Sequence, residues 1–428
     1  MKPFTRGILF SILFFAFSFS SFSQDTIKMM QYNLMYYTET SGISDCNGNT
    51  NSLANKDANI RTIFHHVMPD VFCVCEMGSN ISYVNRLLNN AINTDGVDYY
   101  RSGPLTNYSG GYIANMIYYN SNKFTLYDHT TISTSYRDIN GYKMYYNSNG
   151  LVSGDTVFIT FWIIHLKAGS GESNENARHI QAQRLMDKIA SMGNPGNYVV
   201  SGDFNIYDAA EDAYQEMIRY SNSLYRLYDP IDREGNWNNN SSFKDIHTQS
   251  THSNSQDCFS SGGLDDRFDI ILVSPYIEYG IDGVRVLPST YHALGQDGKR
   301  FNGSIISPAN NSIPSNVAQA LYNQSDHLPV ITEFTIDAQV GIAGHNSGFY
   351  LNVSNPIQDN VSIQIQPEKE DDFHFEIYSL DGRLLHAQHH YLNEEKQKID
   401  IPFAFPHGMY ILKVSDSKHQ KQVRKLVK

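Results

Sequence analysis

Short apolar runs separated by polar, Asn/Ser/Gly-rich stretches recur along the chain to about residue 337. The runs at 27–32, 71–75, 112–119, 156–165, 198–201, 268–273 and 330–335 are rich in β-branched and aromatic residues and bounded by turn formers, which predicts buried strands. Two stretches carry a helical spacing instead. Segment 55–67 has apolar residues at Ala58, Ile60, Ile63, Phe64 and Val67, and 176–192 has them at Ile180, Leu185, Ile189 and Met192. Strands bracketing helices, with a strand pair and a helix in each half, predict a layered α/β sandwich.

The pattern breaks at 338–348, where Gly, Ala, Asn and Ser replace it and predict a linker. Beyond it, 361–365 and 373–377 alternate at period 2, Asp381-Gly382 suits a hairpin turn, and a further apolar run at 409–414 follows Gly408. Segment 349–428 therefore predicts a small C-terminal β-sandwich. At the other end, Lys2 and Arg6 precede an apolar stretch at 7–17 and the small-x-small site Ser21-Phe22-Ser23. This predicts a signal peptide at 1–23 with the mature chain starting near Gln24. Its apolar stretch is well short of the roughly 20 residues that span a bilayer, and no later segment is long and apolar enough. The expectation is an exported monomer without stable membrane insertion, its main domain at 24–337.

At 428 residues, 41% apolar and 13% aromatic, the chain can bury at least one large core. A net charge of −12 excludes gripping nucleic acid through a broad basic face. It leaves room for phosphate chemistry in which a bound cation supplies the positive charge. The four cysteines are too few for a disulfide framework. Cys73 and Cys75 share one face of a strand and read as small core residues, whereas Cys46 and Cys258 sit in polar loops where a disulfide is an open alternative.

Polar residues cluster at the ends of the apolar runs. Asn33 ends the first, Glu76 the second, His165 closes 156–165, and Asp203 and Asn205 follow 198–201. Asp269 lies inside 268–273, and Asp326-His327 precedes 330–335. Gly202-Asp203-Phe204-Asn205 alone suits a turn; if the strand continues, Asp203 and Asn205 point the same way. Isolated carboxylates beside apolar strands are costly unless a charge or hydrogen bond offsets them. Glu76, Asp203 and Asp326 are thus best explained by shared partners such as a metal.

Taken in order, Asn33, Pro69-Asp70-Val71 leading to Glu76, His165, Gly202-Asp203-Phe204-Asn205, Asp269 and Ser325-Asp326-His327-Leu328-Pro329-Val330 resemble the motifs of the endonuclease/exonuclease/phosphatase superfamily. The resemblance implies a DNase I-like four-layer α/β sandwich whose site opens at one edge of the paired sheets. It implies Glu76 as the main metal carboxylate, with Asn33 and Asp326 nearby, and Mg²⁺ as the cation, with Mn²⁺ or Ca²⁺ as alternatives. His327 is then the general base or a phosphate ligand, Asp269 holds its tautomer, and Asp203 and Asn205 orient water and a non-bridging oxygen. His165 is a second donor to the phosphorane or the leaving oxygen.

The tail is similar to the type A C-terminal sorting domain of the type IX secretion system of Bacteroidetes. Asn355-Pro356 with Asp359, the stretch 377–383, Gly408-Met409-Tyr410 and the basic end at Lys421, Arg424, Lys425 and Lys428 carry the likeness. It implies the type IX machinery as a partner and a cell-surface or secreted destination.

The substrate is less legible. The segment 261–267 lacks the tryptophan-cysteine pair of inositol polyphosphate 5-phosphatases, which disfavours that activity. The Tyr-rich stretch 142–146 could meet a membrane, as in sphingomyelinase-like enzymes. Lys167 and Arg178, and Lys299 and Arg300 within the long loop at 291–322, are candidate contacts to flanking phosphates. The leading expectation is a secreted metal-dependent phosphodiesterase, a nuclease acting on DNA or RNA. The alternatives are a sphingomyelinase-like or other small phosphodiesterase, and a non-catalytic surface binding protein.

Overall fold

The computed structural model describes residues 25–336 and 349–428, apart from 40–51, 148–155, 194, 257, 354–356, 358, 380–382, 407 and 419–420. The expected signal peptide at 1–23, the linker at 338–348, Cys46 and the tail residues Asn355, Pro356, Asp381 and Gly382 lie outside the described residues.

The chain opens with β1 (Asp25–Tyr37), crosses through α1 (Leu53–Val67) and returns in β2 (Val71–Gly78), parallel to β1 with Asn33 opposite Cys75. Ser52 caps α1 by accepting from the Asn55 N–H, and Met68 ends it in the left-handed conformation. Next come α2 (Ile81–Leu87), β3 (Tyr100–Ser102) and β4 (Ile113–Asn120). The second half repeats the device: β5 (Phe124–Ile132), β6 (Ile139–Tyr146) and β7 (Phe158–His165) form a meander, and α3 (Glu172–Ser191) carries the chain to β8 (Tyr198–Asp203), parallel to β7. After α4 (Asp212–Ile218), β9 (Asp269–Val273) runs antiparallel to β8. Then α5 (Pro275–Tyr279), β10 (Val284–Ala293), α6 (Ser315–Gln324) and β11 (Val330–Ile336) return the chain to the first sheet.

The sheet orders are β10-β11-β1-β2-β4-β3 and β5-β6-β7-β8-β9. Alternation sorts β2 cleanly. Val71, Cys73 and Cys75 join Phe161, Ile163, Val199 and Ile271 in a core between the sheets, while Phe72 and Val74 pack outward with Ile60, Phe64 and Leu321 of α1 and α6. On the far side, Trp162, Val200 and Leu272 pack against Leu185 and Met186 of α3 and Met217 of α4. The result is a four-layer helix–sheet–sheet–helix sandwich, as the sequence predicts. Cys73 and Cys75 are buried free thiols, as expected of small core residues. Cys258 is disulfide-bonded.

Several elements escape the apolar pattern. β5 and β10 lie at sheet edges and alternate weakly because much of each faces solvent. The stretch read as a loop at 291–322 contains the end of β10 and most of α6. Tyr142 and Tyr146 belong to β6 and are buried in the inter-sheet core. That corrects the reading of 142–146 as a membrane-facing surface.

The tail contains β12 (Phe349–Val353), β13 (Asn360–Pro367), β14 (Asp371–Ser379), β15 (Leu384–Leu392), β16 (Gln397–Pro402), β17 (Met409–Ser415) and β18 (Lys421–Val427). They form two antiparallel sheets, β12-β13-β16 and β15-β14-β17-β18, around Val361, Ile363, Phe375, Ile377, Leu412 and Val414. This is the expected small sandwich.

A backbone approach inside the second sheet is tight enough to require glycine. Gly202 of β8 has φ +154°, and a Cβ there would stand 1.8 Å from the Ile164 carbonyl oxygen of β7. Gly202→Ala is expected to cost about 3 kcal/mol or more, read as a lowered urea midpoint. A midpoint unchanged from that of the parent protein would rule out this close pairing.

Candidate active site

Parallel pairing in each half carries the C-terminal ends of β1 and β2, and of β7 and β8, toward a common edge. In the second sheet, His165, Asp203 and Asp269 stand side by side on β7, β8 and β9. In the first, Asn33 ends its paired stretch beside β2, Glu76 follows Cys75, and Asp326-His327 sits just before β11. The rows meet across the sandwich: Asn33 Nδ2 donates to Asp203 Oδ2 at 3.0 Å and to Glu76 Oε1 at 3.2 Å. A cleft of about 260 Å³ is lined by Glu76, His165, Asp203, Asn205, Asp326 and His327.

Local backbone geometry aims these groups. Glu76 adopts φ +59°, which turns its carboxylate out of the strand so that Oε2 accepts from the Tyr36 N–H at 2.9 Å. Asn205 also adopts a positive φ, +52°, and its N–H donates to Asp203 Oδ1 at 3.0 Å. Gly202 and Asp203 therefore end β8, and the chain turns at Asn205 instead of continuing extended. The Asp203 and Asn205 side chains still reach the cleft, and Asn205 Nδ2 donates to the Leu166 carbonyl at 3.3 Å.

His327 is held most firmly. Its Nδ1 lies 2.7 Å from Asp269 Oδ2, and its backbone N–H donates to Ser325 Oγ at 3.0 Å. Asp269 is positioned in turn by Thr248 Oγ1, which accepts its N–H at 3.1 Å. Arg267, two residues away, pairs with Asp229 at 2.7 Å rather than with Asp269. On the other side of the ring, Nε2 lies 3.8 Å from Asp203 Oδ2 and 2.7 Å from Gln249 Nε2. Gln249 also donates to Asp326 Oδ2, which accepts the Ser260 N–H as well.

The electrostatics separate the two histidines. Burial lowers the His165 proton affinity well below the usual histidine value, and the nearby charges of Arg137 and His327 add to this. His165 is neutral. Burial also opposes charge on His327, but Asp269 and Asp203 outweigh it and raise its affinity well above the usual value. The Gln249 amide, which donates to Nε2, suits the neutral ring, so geometry and electrostatics favour different protonation states there. Asp269 fixes a proton on Nδ1 in either state. Burial pushes Asp203 up to about 7, with His327 opposing and Asp269 and Glu76 reinforcing. Burial and then Asp326 raise Glu76. Carboxylates crowded in this way, with little cationic compensation, fit a site for a hard divalent cation.

Ligand atoms of Glu76, His165 and Asp203 fall within 4.8 Å of one another. This grouping differs from the expected set of Asn33, Glu76 and Asp326. Asn33 turns Oδ1 away to accept the Met35 N–H and presents its amide nitrogen to the two carboxylates, while Asp326 is engaged by Gln249 and Ser260.

The four basic residues proposed for flanking phosphates divide. Arg178 is fully buried, pairs with Glu211 at 2.7 Å and donates to the Lys167 and Gly169 carbonyls, so it braces the turn after β7. Arg300 is also buried, bound to Asp297 and to the Ser304, Pro308 and Ala309 carbonyls. Neither faces substrate space. Lys299 is exposed, and half-buried Lys167 places Nζ on the Ala168 carbonyl. The apolar pattern gave no sign of Gln249, Thr248 or Arg137, which act from loops; Arg137 donates to the His165 and Leu166 carbonyls.

No curated protein matches the sequence. Solved structures are similar to this chain, three among them as follows. The human Nocturnin catalytic domain with bound sulfate anion is 16% identical, covering 73% of this chain and 97% of that chain at a TM-score of 0.44. An endonuclease/exonuclease/phosphatase from Bacteroides vulgatus is 15% identical, with 73% and 99% covered and a TM-score of 0.45. Truncated Caenorhabditis elegans TDP2 is 18% identical, with 73% and 97% covered and a TM-score of 0.43. Residues 354–428 match the model of the Secretion system C-terminal sorting domain. Residues 30–327, well over half of the chain, match a second family model that includes every residue of the cleft, and the chain thus belongs to the Endonuclease/Exonuclease/phosphatase family.

Proposed function

We propose that the protein is an exported, metal-dependent phosphodiesterase that hydrolyses DNA or RNA. The observation that carries this reading is His327, tied through Nδ1 to Asp269 at 2.7 Å and bringing Nε2 to a cleft walled by carboxylates. Nε2 takes a proton from the attacking water, and Asp269 keeps the ring in the required tautomer and stabilises the resulting cation. As the water oxygen bonds to phosphorus, the opposite P–O bond breaks and the leaving oxygen takes up a proton. The Asn205 carboxamide and neutral His165 orient the phosphoryl oxygens and donate to the charge that develops on them.

Glu76 and Asp203 are the residues to hold a divalent cation, with His165 and Asp326 beside them. Such an ion supplies the charge that neutralises a phosphate within a protein of net charge −12. Oxygen donors suit Mg²⁺, with Mn²⁺ or Ca²⁺ as alternatives. One chain contains the whole constellation, so a monomer suffices. The burial of Tyr142 and Tyr146 inside the sandwich removes the membrane-facing role read for those two residues. The tail supports export by the type IX pathway to the cell surface or the medium.

The purified protein is expected to nick plasmid DNA or degrade RNA with Mg²⁺ present and to lose this activity in chelator. Phosphocholine release without nicking would sink the nuclease reading, and a folded protein inert on every phosphoester would make it a binding module. His327→Ala and Asp269→Asn should each lower kcat by about 10²- to 10⁴-fold with the fold retained. Near-parent rates in either variant would remove His327 from the chemistry.

A further inference from the structure

A second pocket, about 360 Å³ in volume, opens beside the catalytic cleft between α1, the end of α6 and the 250s loop. Its lining combines carboxamides with aromatic rings. Asn55 and Asn59, one turn apart on α1, present side chains with no hydrogen-bond partner among the described residues, and Gln256, whose Oε1 accepts from Tyr322 OH at 3.3 Å, completes the amide lining. Opposite, His252 is sandwiched between Phe259 and Tyr322 at ring-centroid distances of 4.2 and 3.8 Å. Thr251 Oγ1 donates to the Ser325 carbonyl and therefore accepts from His252 Nδ1, which leaves His252 Nε2 as an acceptor. Burial holds His252 neutral, its pKa lowered to about 4. Among the described residues no lining side chain carries a charge, so the pocket suits a flat, neutral group with donors and acceptors along its edge.

The position of the pocket says what that group is attached to. Asn323 on its rim is three residues from Asp326, and Phe259 lies between Cys258 and Ser260, both of which line the catalytic cleft. Ser260 N–H donates to Asp326 Oδ2 at 3.1 Å, so the wall between the two cavities is a single stretch of chain. A neutral group there can be joined covalently to a phosphate in the cleft.

We propose that this pocket is a base subsite: it receives the nucleobase of the nucleotide next to the scissile phosphate, its edge read by Asn55, Asn59 and His252 and its face set against the aromatic floor. The inference rests on the nuclease reading above. Small carboxamides and an imidazole acceptor accommodate more than one base, so the subsite adds affinity with modest sequence preference.

The test compares the full-length protein with an Asn55→Ala/Asn59→Ala double variant on a dinucleotide and on bis(p-nitrophenyl) phosphate, a phosphodiester without a base. The ratio of kcat/KM for the dinucleotide to that for the base-free diester should fall about tenfold in the variant, mainly through KM. A milder Tyr322→Leu variant, with the α1 amides intact, should shift the ratio in the same direction. A ratio equal to the parent's in both variants, while nucleic acid is still cleaved, overturns the subsite alone. A parent protein that cleaves the base-free diester but neither dinucleotide nor polynucleotide overturns the nuclease reading, and the subsite with it.

Discussion

The site depends on one hydrogen bond across the sandwich: the Asn33 carboxamide of the first sheet donates to the Asp203 carboxylate of the second, at 3.0 Å and 170 residues apart in sequence. Everything catalytic lies on one side or the other of that contact. It can form because small inward side chains, Cys73 and Cys75 on β2 and Ser201 on β8, let the sheets approach closely near their shared edge. Cys75 Sγ reaches the Ile164 carbonyl at 3.2 Å, and Gln31 bridges Ser201 and Cys75 just below. The polar inter-sheet layer leads from a dry core to a charged cleft within a few residues of each strand.

Burial sets the chemistry of that cleft. A carboxylate withdrawn from water keeps its charge only at a cost, and Glu76 and Asp203 respond with raised proton affinities. The same carboxylates draw a proton onto His327, while the more enclosed His165 stays neutral. Two imidazoles in one pocket are thereby driven in opposite directions, His165 by burial and His327 by its carboxylate neighbours. A divalent cation between the carboxylates would relieve the crowding and leave His327 free to act as a base.

Much of this was legible in the chain because strand-terminal polar residues after apolar runs are costly without a shared purpose. Asn33, Glu76, His165, Asp203, Asp269, Asp326 and His327 all carry that signature and converge in the cleft or against it. Less legible was how each would be oriented. Asp203 and Asn205 meet through a left-handed turn that period-2 reasoning does not anticipate, and the Asn33 amide faces the carboxylates with its nitrogen. The basic residues misled for a related reason. Arg178 and Arg300 look like free cations in sequence, but Glu211, Asp297 and backbone carbonyls absorb their charge inside the fold. Gln249 and Thr248 come from an irregular segment with no periodicity to betray them. The edge strands β5 and β10 were hidden because a strand half in water alternates weakly.

The claim that the two sheets jointly build a cation site is tested most directly by anomalous scattering from crystals soaked in Mn²⁺. A single peak within bonding distance of both Glu76 and Asp203 carboxylates is the expected result. A peak bound by residues of one sheet alone, or none in a folded, Mn²⁺-active protein, would contradict a site shared across the sandwich.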